Sequence, residues 1–303
     1  MDVIHPVYLP FTADHLRDHF APVASGGDPD RHVRYYQASA ARAVAFESSP
    51  PTGPVGDVAA ATKLAHQIEK DERFWVVAAL MRIFHASDRV TRLCQLLRLC
   101  LGDTPPVNGL STWEDALAGP QLRLYFEVSL PSPKSYQWWL ADHRDERVLL
   151  PWLRALAADK TKLEGATKAD AMLIAPDTGF AVVFEAKVLS DASTQVGYDV
   201  LRNQIARNID VLLDRTPDLD GTLAARDPDR SFFVLLTPQL FRENPEGRLY
   251  GWLMNGYRDD PELLRRHLPH RPSVDLEPVR RRLGWLTWEE CNQVCPGACG
   301  WLT

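Results

Sequence analysis

The sequence contains no apolar run near the roughly 20 residues needed to cross a bilayer. Its longest candidates, at 74–80 and 148–156, are short or interrupted, so a soluble chain is expected. It has no glycine-rich phosphate loop, which argues against nucleotide hydrolysis. Its nine histidines never stand beside a serine or cysteine in a nucleophile motif, which removes the hydrolase triads. It also lacks a basic excess. With 34 Lys and Arg against 40 Asp and Glu, a net charge of -6 excludes holding nucleic acid by overall attraction, and leaves local patches and a bound cation as the routes. Five cysteines, an odd number, do not suit a disulfide framework. The start, Met1-Asp2-Val3-Ile4-His5-Pro6, has neither the basic residues nor the apolar core of a secretion signal, so a cytoplasmic location and no membrane partner are expected.

What is there is enough for a large core, since 45% of the 303 residues are hydrophobic. Gly, Pro and Ser clusters around 24–29 and 48–54 punctuate short elements near the amino terminus. From residue 58 to 101, Leu64, Ile68, Phe74, Val77, Leu80, Met81 and Phe84 recur at threes and fours and predict packed helices. Pro105 and Pro106 close that block, placing a boundary between a mainly helical region at 1–115, suited to recognition or interaction, and a second domain at 116–303. Alternation at 122–128 predicts a strand and 144–158 a helix. Runs at 169–175 and 180–187, separated by Pro176-Asp177-Thr178-Gly179, predict a hairpin, because the proline presets one dihedral and the glycine accepts positive φ. A helix over 190–214, capped by Ser190 or Asp191 and carrying Val196, Val200, Ile205, Ile209 and Leu212, a buried strand at 231–237, and mostly helix after Gly247 complete an α/β pattern.

The hairpin carries the chemistry. Strand side chains alternate, so Glu185 and Lys187 share a face, and the turn folds Asp170 back beside them. Two carboxylates and an ammonium suit a hard divalent cation. Magnesium is commonly held by one or two carboxylates plus substrate phosphates, here Asp170, Glu185 and the backbone carbonyl of Ala186, with Lys187 orienting or deprotonating a water and offsetting charge on phosphorus. The competing reading of a Glu-X-Lys triplet is a solvated same-face ion pair of little value. Burial of those charges at the end of an apolar strand favours a site.

Asp170 followed fifteen positions later by Glu185-Ala186-Lys187, on successive strands with a helix behind, resembles the PD-(D/E)XK nucleases of the restriction-endonuclease-like fold. Ala169 stands where that motif has proline. The resemblance covers roughly residues 140–240. It implies a mixed central sheet flanked by helices and magnesium-dependent hydrolysis of phosphodiester bonds, with manganese able to substitute. In it, Asp170 and Glu185 bind metal and Lys187 acts on the water. Gln204 resembles a glutamine that some members place near the metal or the DNA; Asn208, four positions on, departs from the usual aromatic. Glu164, ahead of Glu146, is the choice for the extra acid that members often add. The expected function is a DNA endonuclease, with RNA as a further substrate class, in restriction or host defence and able to work as a homodimer. The alternative is a catalytically silent protein of this fold that binds nucleic acid or a protein.

Arg202 and Arg207 around Gln204, and Arg280 and Arg281 near the carboxyl terminus, are the expected phosphate contacts; their bland reading is a solvated helix face. Cys291, Cys295 and Cys299 invite comparison with an iron–sulfur branch of the same superfamily or with a zinc site, but their spacing fits neither. The preferred reading makes Cys291 and Cys295 small apolar residues on a short helix beginning at Thr287 and capped in a box with Glu290.

Overall fold

In the computed structural model the described residues are 11–20, 28–48, 71–158, 160, 162–194, 197–215, 219 and 221–299. Leu64, Ile68 and Val196 of the expected helices lie outside them, as do most of the amino-terminal Gly/Pro clusters.

Five strands form one mixed sheet: β1 (Arg123–Leu130), β2 (Thr167–Ala175), β3 (Phe180–Ala186), β4 (Ser231–Thr237) and β5 (Leu283–Thr287), paired in that order. The pairs β1–β2 and β2–β3 are antiparallel, whereas β3–β4 and β4–β5 are parallel. The β2–β3 turn is the expected one, with Gly179 at φ 71°. Strand β5 was not foreseen. Its second residue is Gly284, where any Cβ would stand 3.1 Å from Leu101 and Val234, so a helix packs against the strand at close range.

Helices cover both faces. On one face lie α1 (Ala13–Phe20), α2 (Pro29–Ser48), α3 (Glu72–Phe84), α4 (Arg89–Leu101) and, from the far end of the chain, the helix Trp288–Val294. Leu16, Phe74, Leu97 and Trp113 share a single apolar layer there with Leu173, Phe184 and Trp288, so residues on both sides of position 115 build one core face. On the other face, α6 (Gln204–Leu213) and α7 (Leu249–Asp259) pack Ile205, Ile209, Leu253 and Met254 against Met172, Val183 and Phe233. Among the described residues, no helix is long and apolar enough to cross a membrane.

Two helices differ from expectation. The segment expected to be one helix over 144–158 is broken into Arg144–Arg147 and Pro151–Ala158, because the residue before a proline is pushed out of helical geometry. An unforeseen helix, α5 (Lys134–Asp142), precedes them. The helix expected from residue 190 starts only at Gln204, where the Asn203 side chain accepts from Ala206 N at 2.9 Å. Asp191 caps a different helix, accepting from Leu249 N at 2.8 Å and Tyr250 N at 3.1 Å at the start of α7. At the carboxyl end, Thr287 and Glu290 form the expected capping box, and Cys291, Cys295 and Cys299 lie buried in the apolar layer as free thiols.

Candidate active site

The site begins as a fault in the pleat. In β1, Leu124 and Phe126 face the layer of α1 and α3, yet Val128 and Leu130 face the opposite layer with Tyr125. Strict alternation would keep all four even-numbered residues together. The switch falls at Glu127, whose φ is 52°. Strand β2 slips at the matching position: Ala171 and Leu173 face one layer while Ala169 joins Met172 on the other. Backbone pairing accordingly runs from Phe126↔Ala171 to Val128↔Ala169 and skips Glu127 and Asp170 between them. On the other side, β2–β3 pairing stops at Ala171↔Phe184. Beyond that pair, the Ala186 N–H donates to Asp170 Oδ2 at 2.7 Å in place of a backbone carbonyl.

Where the three strands part, a cleft of 620 Å³ opens, lined by Glu127, Asp170, Glu185, Lys187 and Gln204 on the sheet side. Asp71, Glu72 and Arg73 at the start of α3 form the opposing wall. Glu185 is 1% exposed and fully engaged: Oε1 accepts from Lys187 Nζ and from Gln204 Nε2, both at 2.6 Å, and Oε2 accepts from Asn208 Nδ2 at 2.7 Å. Asn208 accepts in turn from the Thr167 hydroxyl at 2.7 Å, so its amide can present only the NH₂ to Glu185. Lys187 also lies 3.9 Å from Glu72 Oε2. Its backbone N–H donates to Leu236 O at 2.8 Å, as a parallel ladder requires. The next donor on β4 would be residue 238, a proline without N–H, and the Trp288 indole serves the Lys187 carbonyl instead at 3.1 Å.

Burial dominates the protonation of this cluster. It pushes the Asp170 carboxyl well above the usual carboxylate range, helped by the charge of Glu185. It raises Glu185 as well, partly offset by Lys187. Burial alone would lower the Lys187 ammonium, but Glu185, Asp170 and Glu72 outweigh it and hold the group above its ordinary value.

Neither a protein-family model, a curated protein nor a solved structure matches the chain. The reading of the site therefore depends on its own geometry. Of the residues singled out in the sequence, Asp170, Glu185, Lys187 and Gln204 meet in the cleft, with the Ala186 backbone beside Asp170.

Glu164 belongs elsewhere. It is 2% exposed, accepts from Ser132 Oγ at 2.5 Å and from Arg202 Nε at 3.0 Å, and is not among the residues that line the cleft. Arg202 is equally buried, stacked 3.9 Å over the Tyr136 ring and bonded to Asp210 at 2.7 Å, which its acidic neighbours explain and which removes it from any phosphate surface. Arg207 turns inward to Gly165 O at 2.5 Å. Arg280 pairs with Glu277 at 2.6 Å, and Arg280 and Arg281 line a separate depression with Arg98 and Arg258. Among the described residues, no three His, Cys, Asp or Glu side chains gather closely enough to hold a metal by themselves, at the cysteines or elsewhere.

Three site residues escaped the sequence reading. Asn208 sits one turn after Gln204, where its departure from the usual aromatic does not reveal its bond to Glu185. Glu127 is a charge inside an otherwise apolar strand, which is its visible signal in the sequence. Glu72 fastens the segment after β3, accepting at Oε1 from Val188 N at 2.9 Å and Ser190 Oγ at 2.6 Å; nothing local announces a contact across 116 residues.

Proposed function

We propose that this chain is a magnesium-dependent DNA endonuclease with a restriction-endonuclease-like core, working in the cytoplasm. Support for the fold comes from its connectivity: an antiparallel β1–β2–β3 meander, then α6, then β4 parallel to β3. Support for the activity comes from one observation. Asp170, Glu185 and Lys187, on adjoining strands, share an open cleft at the point where the sheet parts.

The donor set suits magnesium. That ion takes oxygen ligands, needs only one or two carboxylates from the protein, and completes its shell with water and substrate phosphate. Two desolvated carboxyl groups, both held above their normal pKa by burial, gain a counter-charge when it binds. Asp170 and Glu185 would hold the ion, with the Ala186 carbonyl nearby. When bound, it supplies Lewis-acid stabilisation of charge on the phosphoryl oxygens and a more acidic water.

The chain's own groups do the positioning. Gln204 and Asn208 fix the Glu185 carboxylate from both sides. Lys187, raised in pKa and 2.6 Å from Glu185, remains an ammonium at neutral pH. It therefore orients the attacking water and offsets charge at phosphorus, and its conjugate acid is poorly suited to removing a proton. A restriction or other defence role is analogy at the level of fold.

The test is nicking of supercoiled plasmid in magnesium or manganese by the full chain, Asp170→Asn and Lys187→Ala. Both substitutions should lower the rate at least about a hundredfold, the lower range for losing a positioned acid–base or charge-stabilising group. Plasmid binding without nicking by the unaltered chain would favour a silent nucleic-acid-binding protein instead.

A further inference from the structure

Glu127 carries two costs that the sheet does not require. Among the described residues it is the only non-glycine with a left-handed backbone, a conformation that crowds Cβ against the following carbonyl. Its side chain is 6% exposed, and Oε1 is sealed from solvent without accepting a hydrogen bond. The nearest cation, Arg73 Nε, is 3.8 Å away, too far for one, and Arg73 itself is engaged over the Tyr35 ring at 4.3 Å. Buried carboxylate oxygens normally have partners. Strain and an orphaned acceptor at one residue that lines the cleft are the pattern expected where a ligand is missing.

The register says which partner Glu127 would work with. It stands directly across from Asp170, in the one position of the β1–β2 ladder where pairing lapses, and both residues line the same cleft. Asp170 thus has an acid on either flank, Glu185 on β3 and Glu127 on β1. We propose that Glu127 is a divalent-cation ligand acting with Asp170, and that the left-handed turn of β1 exists to aim it into the cleft. This inference rests on the metal-site reading above. Its chemistry is simple: a hard cation of the magnesium or manganese class would give that oxygen a direct ligand bond, which Arg73, 3.8 Å away, does not supply.

Metal-free full-length protein is titrated with manganese in a calorimeter near neutral pH, beside Asp170→Asn, Glu127→Gln and Glu127→Gly. Glycine adopts the left-handed conformation freely, so the last variant keeps the kink and removes the carboxylate. Both Glu127 variants should bind manganese at least about tenfold more weakly, and both should melt higher than the unaltered chain when metal-free. Unchanged manganese affinity in the Glu127 variants, with binding lost in Asp170→Asn, overturns the Glu127 assignment and leaves the metal site standing. Unchanged affinity with a lower melting temperature makes Glu127 a partner for Arg73 and overturns it equally. An unaltered chain that binds no manganese removes both readings together.

Discussion

Replacing Asn208 by alanine tests whether the Glu185 carboxylate is held in place or merely buried. The side chain is completely sequestered, donating to Glu185 Oε2 at 2.7 Å and accepting from Thr167 Oγ1 at 2.7 Å. Alanine removes both bonds and supplies nothing in return. Loss of the bond to the carboxylate is worth about 1.5–3 kcal/mol and loss of the neutral one about 0.5–1.5 kcal/mol. Glu185 and Thr167 are 1% and 3% exposed, so water does not simply replace the amide. A net destabilisation of about 2–4 kcal/mol follows. Oε1 keeps its bonds to Lys187 and Gln204, so the carboxylate stays in the cleft but is free to swing about that oxygen. Outer partners of metal-holding groups typically contribute about 10- to 100-fold to activity. Urea unfolding gives the stability, and plasmid nicking by the folded variant in saturating manganese gives the rate. A variant that unfolds at the same urea concentration as its parent and nicks at the same rate would refute the reasoning. One that is destabilised but nicks normally would make Asn208 a packing residue without influence on the site.

The pH dependence of stability has a definite sign. Burial raises the folded-state carboxyl groups of Asp170 and Glu185 above their unfolded values near about 4. Their contribution is therefore fully present below that pH and is lost as pH rises through the folded values. Asp170→Asn should flatten the metal-free stability profile above that point and leave the variant more stable than its parent at alkaline pH; equal slopes in urea melts from acid to alkaline pH would count against it. Arg202→Met breaks a buried network linking Glu164 and Asp210 and should cost about 3–5 kcal/mol, because two buried carboxylates lose their shared cation. The salt dependence of DNA binding by the folded fraction should not change, and a shallower slope would restore Arg202 as a phosphate contact.

The sequence made legible what is close in the chain. Asp170, the turn and Glu185 lie within a hairpin whose pairing follows from apolar alternation and one glycine, so their juxtaposition was readable without coordinates. Strand β4 announced itself by a run of seven buried residues. Long-range competition hid the rest. Residues 190–203 look helical by spacing, yet Asp191 finds a better use at the start of α7, and Asn203 offers the cap that begins α6. Arginines at 202 and 207 look like a basic surface because a sequence shows charge and not direction. Their partners, Glu164 and Gly165, are some forty residues away and draw them inward. Strand β5 is short, contains a glycine and is buried on both faces, leaving no alternation and only Thr287 as a β-branched residue to read.

The start of α3 explains why the cleft needs the amino-terminal third of the chain. Asp71 caps the helix by accepting from Phe74 N at 3.2 Å, Glu72 grips the segment after β3, and Arg73 leans towards Glu127. Three consecutive residues thus reach three parts of the site, and the helix presents its positive end to a group of acids. Even so, the cleft is lined by five acids, Asp71, Glu72, Glu127, Asp170 and Glu185, against the three bases Arg73, Lys168 and Lys187. Burial raises the carboxyl groups of Asp170, Glu185 and Glu127, so protons compete to relieve that imbalance. A divalent cation would relieve it with a charge of the right size, in competition with protons for the same oxygens. Competition between proton and metal is therefore built into the site, and the proposed manganese affinity should weaken as pH falls.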